Sequence, residues 1–343
     1  MSYADTLVDA DPADIKRLGN GFCHAKLLLT AAELGLFASL AETGPATGPQ
    51  LCEKLGLHPR GCRDFLSALV LLGLLTRDGD RYDNAPAAAA CLVPGGPSYV
   101  GGFLGRANRM LYPAWEHLGD ALRTGQPQVP AAQAGAFERM LGNPQQRSQY
   151  LGMMDAVNGL LAPELAQAFD WSGRHSLVDV GGARGNLAAR LVAAHPHLSA
   201  VVFDLPVMEA SLREHVASLV PDGAVRFQGG NFFTDSLPEG DVLIIGHVLH
   251  NWSPEERQVL VKKAYAAVRP GGALLVYDAM LDDSPAELAR VLVSLNMLLV
   301  TAGGSEYPVS DCQGWLADAG FEAISHHPLG SADTLVIGHK RPE

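Results

Sequence analysis

The sequence predicts an α/β protein: a doubly wound, mostly parallel sheet in the C-terminal half, preceded by a helical domain. After Ser172-Gly173, short apolar runs alternate with helical patterns, at Ser176 to Val180, Ala200 to Phe203, Val225 to Gln228, Val242 to Ile245, Ala273 to Tyr277 and Thr334 to Gly338. Alternation of this kind builds a parallel sheet wrapped by helices. Upstream, apolar residues recur instead at three- and four-residue spacings, as in Leu27 to Leu29 followed by Ala32, Leu34 and Leu36, which is helical periodicity. A chain of 343 residues with 48% hydrophobic and 18% charged side chains can bury more than one core, so two domains are expected.

Amphipathic helices over Asp14 to Leu40 open the chain. Thr47 to Leu57 then reads as a helix, His58-Pro59-Arg60 leads into a second that runs to Leu74, and Asp78-Gly79 turns a hairpin. Helix, turn, helix and hairpin in that order is the pattern of a winged helix. Its second helix carries only Arg60 and Arg63 as bases and a ladder of Phe65, Leu66, Leu69, Leu72 and Leu74, so packing or dimerisation is expected of it rather than DNA binding. Pro94, Gly95, Gly96 and Pro97 mark a break, followed by helices around Ala107 to Leu122 and Gln146 to Phe169. The expected division is a helical region over 1–98, connecting helices over 99–170 and the sheet domain over 171–343.

Several classes are disfavoured by composition. No apolar stretch reaches the roughly 20 residues of a membrane helix; the longest candidate, Phe65 to Leu75, is interrupted by Ser67 and Gly73. Asp5, Asp9, Asp11 and Asp14 stand where a signal peptide would carry basic residues, so a cytoplasmic location is expected. Cys23, Cys52, Cys62, Cys91 and Cys312 are scattered and nowhere paired at ligand spacing, so neither disulfides nor a metal site is expected. A net charge of −12 repels phosphate backbones and disfavours nucleic acid as a partner.

Four stations in the sheet domain carry chemistry. Leu177-Val178-Asp179-Val180-Gly181-Gly182-Ala183-Arg184-Gly185 reads as a strand running into a glycine loop, where backbone can approach a ligand beyond the strand's carboxyl end. A tight strand-to-helix turn would use the same glycines. Asp204 ends the next strand 19 residues past Gly185, near the ~20-residue separation at which a carboxylate accepts from ribose hydroxyls. It can also serve as an N-cap before Pro206. Gly-Gly-x-x-Gly in place of Gly-x-Gly-x-x-Gly makes less room for a pyrophosphate, and Asp179 beside the loop suits a sulfonium nucleoside bearing an amino group better than a diphosphate. Third, Asn231 follows another strand and can bond an adenine edge while Phe232 covers its face, although two phenylalanines are more often core. Fourth, Gly246-His247-Val248-Leu249-His250-Asn251-Trp252 follows the fourth strand. His250, with an ordinary imidazole pKa near 6.5, is the general-base candidate for a phenol whose own pKa is about 10.

Together these stations resemble the class I S-adenosylmethionine-dependent O-methyltransferases, in the group that modifies plant phenylpropanoids and bacterial aromatic polyketides and naphthoic acids. The resemblance spans almost the whole chain. It implies a Rossmann-like methyltransferase domain and an all-α, winged-helix-containing N-terminal region that forms an intertwined homodimer. It further implies S-adenosylmethionine as cofactor with no metal, and a small phenolic substrate. Val178 to Gly185 matches the family's Val-Asp-Val-Gly-Gly-Gly-x-Gly with Ala183 at the third glycine. Asp179, Gly181, Gly182, Gly185, Asp204, Leu205, Asn231, Phe232, Gly246 and His247 fall at cofactor-binding places, though the Gly246 position often bears a polar side chain in relatives. His250-Asn251-Trp252 matches a His-Asp-Trp motif whose histidine is the base, with Asp278 and Glu306 at the places of two flanking acids. Asn296 and Met297 match positions lining the aromatic pocket. Trp115 is a candidate wall for an aromatic ring or a dimer-interface residue. Two rival readings remain: a same-fold hydroxylase or decarboxylase, and a winged-helix regulator that senses a small molecule.

Overall fold

The computed structural model describes residues 11–96, 98–129, 140–282 and 287–343. Asp5, Asp9 and Pro97 lie outside them. The chain divides into two compact units, the first ending at Pro113 and the second starting at Ala114.

Helices Pro12–Gly19, Gly21–Glu33, Leu36–Thr43, Gly48–Lys54 and Pro59–Leu71 make up most of the first unit. Their starts are written locally. Thr47 and Gln50 form a reciprocal capping box, and the His58 ring accepts from Arg60 N at 3.2 Å. Leu36, Phe37, Leu40, Leu51, Leu66 and Leu69 form the core beneath them. The hairpin expected at Asp78-Gly79 is formed by β2 (Leu75–Asp78) and β3 (Arg81–Asn84), and a two-residue strand the sequence did not announce, β1 (Ala46–Thr47), extends it in the order β1-β3-β2. Tyr82 anchors this small antiparallel sheet in the core, and Gly79 takes the positive φ (+59°) its turn requires. The helix expected from Ala107 to Leu122 is instead a π turn, Ala107–Leu111, followed by the short helices Tyr112–Glu116 and Leu118–Thr124.

The second unit is a seven-stranded sheet. Its parallel strands are β4 (Ser176–Val180), β5 (Ser199–Asp204), β6 (Val225–Gly229), β7 (Gly240–Gly246) and β8 (Val268–Asp278), joined by β9 (Glu322–Leu329) and β10 (Asp333–His339) in the order β6-β5-β4-β7-β8-β10-β9. β10 runs antiparallel to both neighbours. The inner strands are buried on both faces and therefore read as continuous apolar runs. The long helix Pro144–Ala168, capped by Asn143, and helix Asn186–Ala194 contribute Leu161, Leu165, Leu187 and Leu191 to the core on one face. Helices Pro254–Ala267 and Val309–Ala319 contribute Leu260, Val261 and Leu316 to the core on the other.

Strand order reverses between β4 and β7, and at such a switch point the carboxyl ends of the parallel strands open a crevice. Gly181, Asp204, Gly246 and Asp278 all stand at that edge. Because β10 is antiparallel, its first residue, Asp333, joins them there. Among the described residues no single helix is long and apolar enough to cross a membrane.

Candidate active site

The glycine loop is held by its neighbours. Gly181 N donates to Phe203 O at 2.8 Å, and a Cβ on Gly181 would come 2.8 Å from Val248 Cγ2. A Cβ on Gly182 would overlap the Asp179 carboxylate. Gly181 and Gly185 have φ of +75°, and Ala183 takes +51°, a left-handed conformation that costs a side-chain-bearing residue about 1–2 kcal/mol. The alanine therefore fits in space but carries backbone strain.

Asp204 bonds this loop directly. Its Oδ2 accepts from Ala183 N at 2.8 Å and its Oδ1 from Leu205 N at 2.6 Å. Each carboxylate oxygen retains further acceptor capacity for a ligand hydroxyl. Asp179 is 3% exposed and its Oδ2 has no hydrogen-bond partner. Burial, reinforced by the nearby Asp204 charge, pushes its pKa up to about 7. An orphaned buried carboxylate oxygen beside two glycines that leave no room for side chains is a cradle for a cationic ligand group. These residues thus fit an amine-bearing nucleoside.

Phe232 lies beside the loop, 4.0 Å from where a Gly181 Cβ would be, and packs edge-on against Phe233 and Trp252 at 4.9 and 5.7 Å. Asn231 is exposed and departs from expectation, because its Oδ1 already accepts from Phe233 N at 2.9 Å. The amide Nδ2 is the better-placed free group. Arg184, in the loop, pairs with Asp155 on the 144–168 helix.

The fourth station is the most elaborate. His250 sits on the turn Leu249–Asn251, and its Nδ1 lies 2.7 Å from Glu306 Oε1 and 3.3 Å from Asp278 Oδ1. Asp278 Oδ2 accepts from the Tyr307 hydroxyl at 2.5 Å, and burial raises the Asp278 pKa to about 6. Burial alone would depress the imidazole, but Asp278 and Glu306, with Asp333 behind them, push it up to about 9. The ordinary value near 6.5 is thus corrected. With both carboxylates facing Nδ1, Nε2 is the nitrogen left for a ligand.

His247 has φ of +52°; its Nε2 lies 3.1 Å from Asp333 Oδ1, and its ring stacks on His250 at 5.8 Å. A Cβ on Gly246 would overlap the Tyr277 ring. Trp115 and Asn296 are joined by an Nε1 to Oδ1 bond of 2.7 Å, and Met297 is buried beside Asn296 on helix Leu288–Val300. Ser294, on that helix, accepts from Glu306 N at 3.2 Å.

Arg257 and Asp333 are among the groups the sequence reading missed. Arg257 is 1% exposed, donates to Leu249 O and Ser305 O at 3.0 and 2.7 Å, and stacks on Tyr307, tying the His250 turn to the Glu306 loop. An arginine on the buried stripe of Leu260, Val261 and Ala264 was its visible signal. Asp333 gave none, standing as a polar residue at a strand start. Among the described residues no three His, Cys, Asp or Glu side chains are grouped so as to hold a metal ion.

Residues 115–322 match the O-methyltransferase domain family, and residues 17–94 match the O-methyltransferase dimerisation domain. The chain belongs to the O-methyltransferase family. It is an S-adenosylmethionine-dependent enzyme of that family. The enzyme is 49% identical to the tetracenomycin polyketide synthesis 8-O-methyl transferase TcmO of Streptomyces glaucescens, covering 96% of this chain and 97% of that one. It is 40% identical to the N,N-dimethyltransferase OxyT of Streptomyces rimosus over 96% and 97%. The crystal structure of human N-acetylserotonin methyltransferase in complex with SAM superposes with a TM-score of 0.87 at 30% identity, covering 97% of this enzyme and 99% of that chain.

Proposed function

We propose that the enzyme methylates a phenolic hydroxyl of an aromatic polyketide or related naphthoic or benzoic acid intermediate of antibiotic biosynthesis, with His250 as the base, and that it works as a homodimer. The observation that carries the reading is the His250 imidazole, held at Nδ1 by Glu306 and Asp278 beside the glycine loop's crevice. TcmO, at 49% identity, supports a polyketide acceptor.

When bound, S-adenosylmethionine would supply a sulfonium methyl that an oxygen nucleophile can take in line, with the neutral thioether of S-adenosylhomocysteine as the leaving group. Asp179 would hold its amine, Asp204 and Leu205 its ribose, and Phe232 with Asn231 its adenine, while Gly181, Gly182, Gly185, Gly246 and His247 shape the cradle. Trp115, Asn296 and Met297 would line the acceptor's pocket. His250, at about 9, is cationic near neutral pH in the free enzyme. The reactive state is one proton short of that form, and with the phenol about one pKa unit above the imidazole the proton rests on the phenol over the imidazole by about tenfold, a gap of about 1.4 kcal/mol that the transfer must cross. Glu306 and Asp278 stabilise the imidazolium as the phenolate forms. Alignment can supply effective molarities of about 10⁵ M or more, against about 10² to 10⁴-fold from the base, so orientation carries the larger share.

Ile15, Leu18 and Phe22, exposed on successive helical turns of the first unit, support a second copy as their cover. The boundaries 1–98, 99–170 and 171–343 are proposed as the functional division.

The test is incubation with S-adenosylmethionine and a panel of phenolic polyketides and naphthoic acids, comparing parent and His250→Ala. A product heavier by one methylene unit is expected; oxygen gain or loss of carbon dioxide sinks the reading. Loss of less than about tenfold in turnover removes His250 from the chemistry. OxyT, at 40% identity, motivates a second reading, an amine acceptor, which amines in the same panel decide.

A further inference from the structure

Asp179, Gly246 and Tyr277 stand in a row across three neighbouring strands. Asp179 on β4 pairs with Ile244 on β7, Gly246 lies two residues further along β7 and so faces the same way, and Gly246 pairs with Tyr277 on β8. The Tyr277 ring lies over Gly246 where a side chain would otherwise project. It therefore reaches from β8 across the middle strand toward Asp179. His247 packs edge-on against the ring at 5.1 Å and fixes it there.

Two polar groups consequently converge at the carboxyl edge of the sheet. Asp179 Oδ2 is buried without a partner, whereas the Tyr277 hydroxyl, on a side chain 2% exposed, bonds none of the described residues without being one of their sealed-off polar atoms. A buried polar atom is ordinarily satisfied, and the open Asp179 oxygen, with a hydroxyl free of protein partners reaching toward it, is completed by a ligand. Their chemistry is complementary to a zwitterion. Asp179 accepts from an ammonium. Burial, with the Asp179 charge next, holds Tyr277 well above the usual phenol range, so its hydroxyl stays a proton donor, suited to a carboxylate.

We propose that the Tyr277 hydroxyl, reaching over Gly246, forms with Asp179 the subsite for the amino-acid end of the bound methyl donor. This rests on the donor-binding reading above and adds to it a residue that no motif singled out. Gly246, without a side chain of its own, is then the space that admits Tyr277.

Calorimetric titration with S-adenosylhomocysteine, which has the amino-acid end, and 5′-methylthioadenosine, which lacks it, tests the assignment. Tyr277→Phe should weaken S-adenosylhomocysteine about 10-fold while leaving methylthioadenosine within about twofold. Gly246→Ala, whose methyl must displace the ring, should show the same selective loss, and the double variant should be no weaker than Gly246→Ala alone. Unchanged S-adenosylhomocysteine affinity in Tyr277→Phe overturns the proposal, as does an equal loss for both ligands. A parent enzyme that binds neither ligand overturns the donor reading itself.

Discussion

Replacing Asp179 by Asn should stabilise the ligand-free enzyme at alkaline pH while removing its grip on the cofactor. Asp179 is 3% exposed with one oxygen unpartnered, and its pKa stands at about 7 against an ordinary 3.8. A carboxyl raised in the folded state contributes no penalty below about pH 4, where folded and unfolded chains are both protonated. As pH rises, the unfolded chain ionises first, and stability is lost until the folded group also ionises near 7. The displacement of about 3 pH units, at about 1.36 kcal/mol each, makes a full deficit of about 4 kcal/mol. An asparagine cannot ionise and escapes this deficit, though its extra N–H group brings an unsatisfied donor costing about 1–3 kcal/mol at every pH. The difference in unfolding free energy, variant minus parent, should therefore grow by roughly 3 kcal/mol between pH 5 and pH 8. Urea denaturation at the two pH values, at fixed protein concentration, measures it. A difference that stays constant with pH refutes the account of Asp179 as a strained, unpaired carboxylate. In the same variant, S-adenosylhomocysteine should bind at least about 10-fold more weakly.

With His250 at about 9, kcat/KM on a phenolic acceptor should climb about tenfold per pH unit from neutrality and level near that value, whereas an unperturbed imidazole would give a plateau above about 6.5. Glu306→Gln, which removes a carboxylate 2.7 Å from Nδ1, should move the bend to lower pH, read from the same profile. Arg257→Met should cost about 2–4 kcal/mol in chemical denaturation, because the Leu249 and Ser305 carbonyls lose a buried charged donor. Ala183→Gly should raise stability by about 0.5–1 kcal/mol, since relief of the left-handed strain at φ +51° outweighs the glycine's added unfolded-state entropy.

The strands that position the site were legible because burial on both faces writes them as unbroken apolar runs ending in glycine or aspartate. β9 was not. Its Glu322, Ala323, His326 and His327 face solvent on an edge, so no apolar run marked it. Motif spacing exposed Asp204 and His250 because one ends a strand and the other lies on the first turn after one. Spacing could not reveal that Asp204 is already bonded by Ala183 N, or that Asn231 spends its carbonyl oxygen on Phe233, since both depend on loop geometry. Asp333 meets His247, and Tyr307 meets Asp278, only after strands distant in the chain pair. The upward shift of His250 follows from those same long-range meetings.

The insertion of β10 between β8 and β9 bears on the order in which the enzyme can assemble. Residues 333–339, made after every other strand of the sheet, occupy an interior place in it. The earlier strands can pair as they are made, but Thr334 must still find Asp278, and Asp333 cannot meet His247 before that. Such closure between distant segments pays its loop entropy before any contact rewards it. The His247 and His250 environment is therefore completed late in folding, and a nascent chain carries the glycine loop well before it can carry out catalysis.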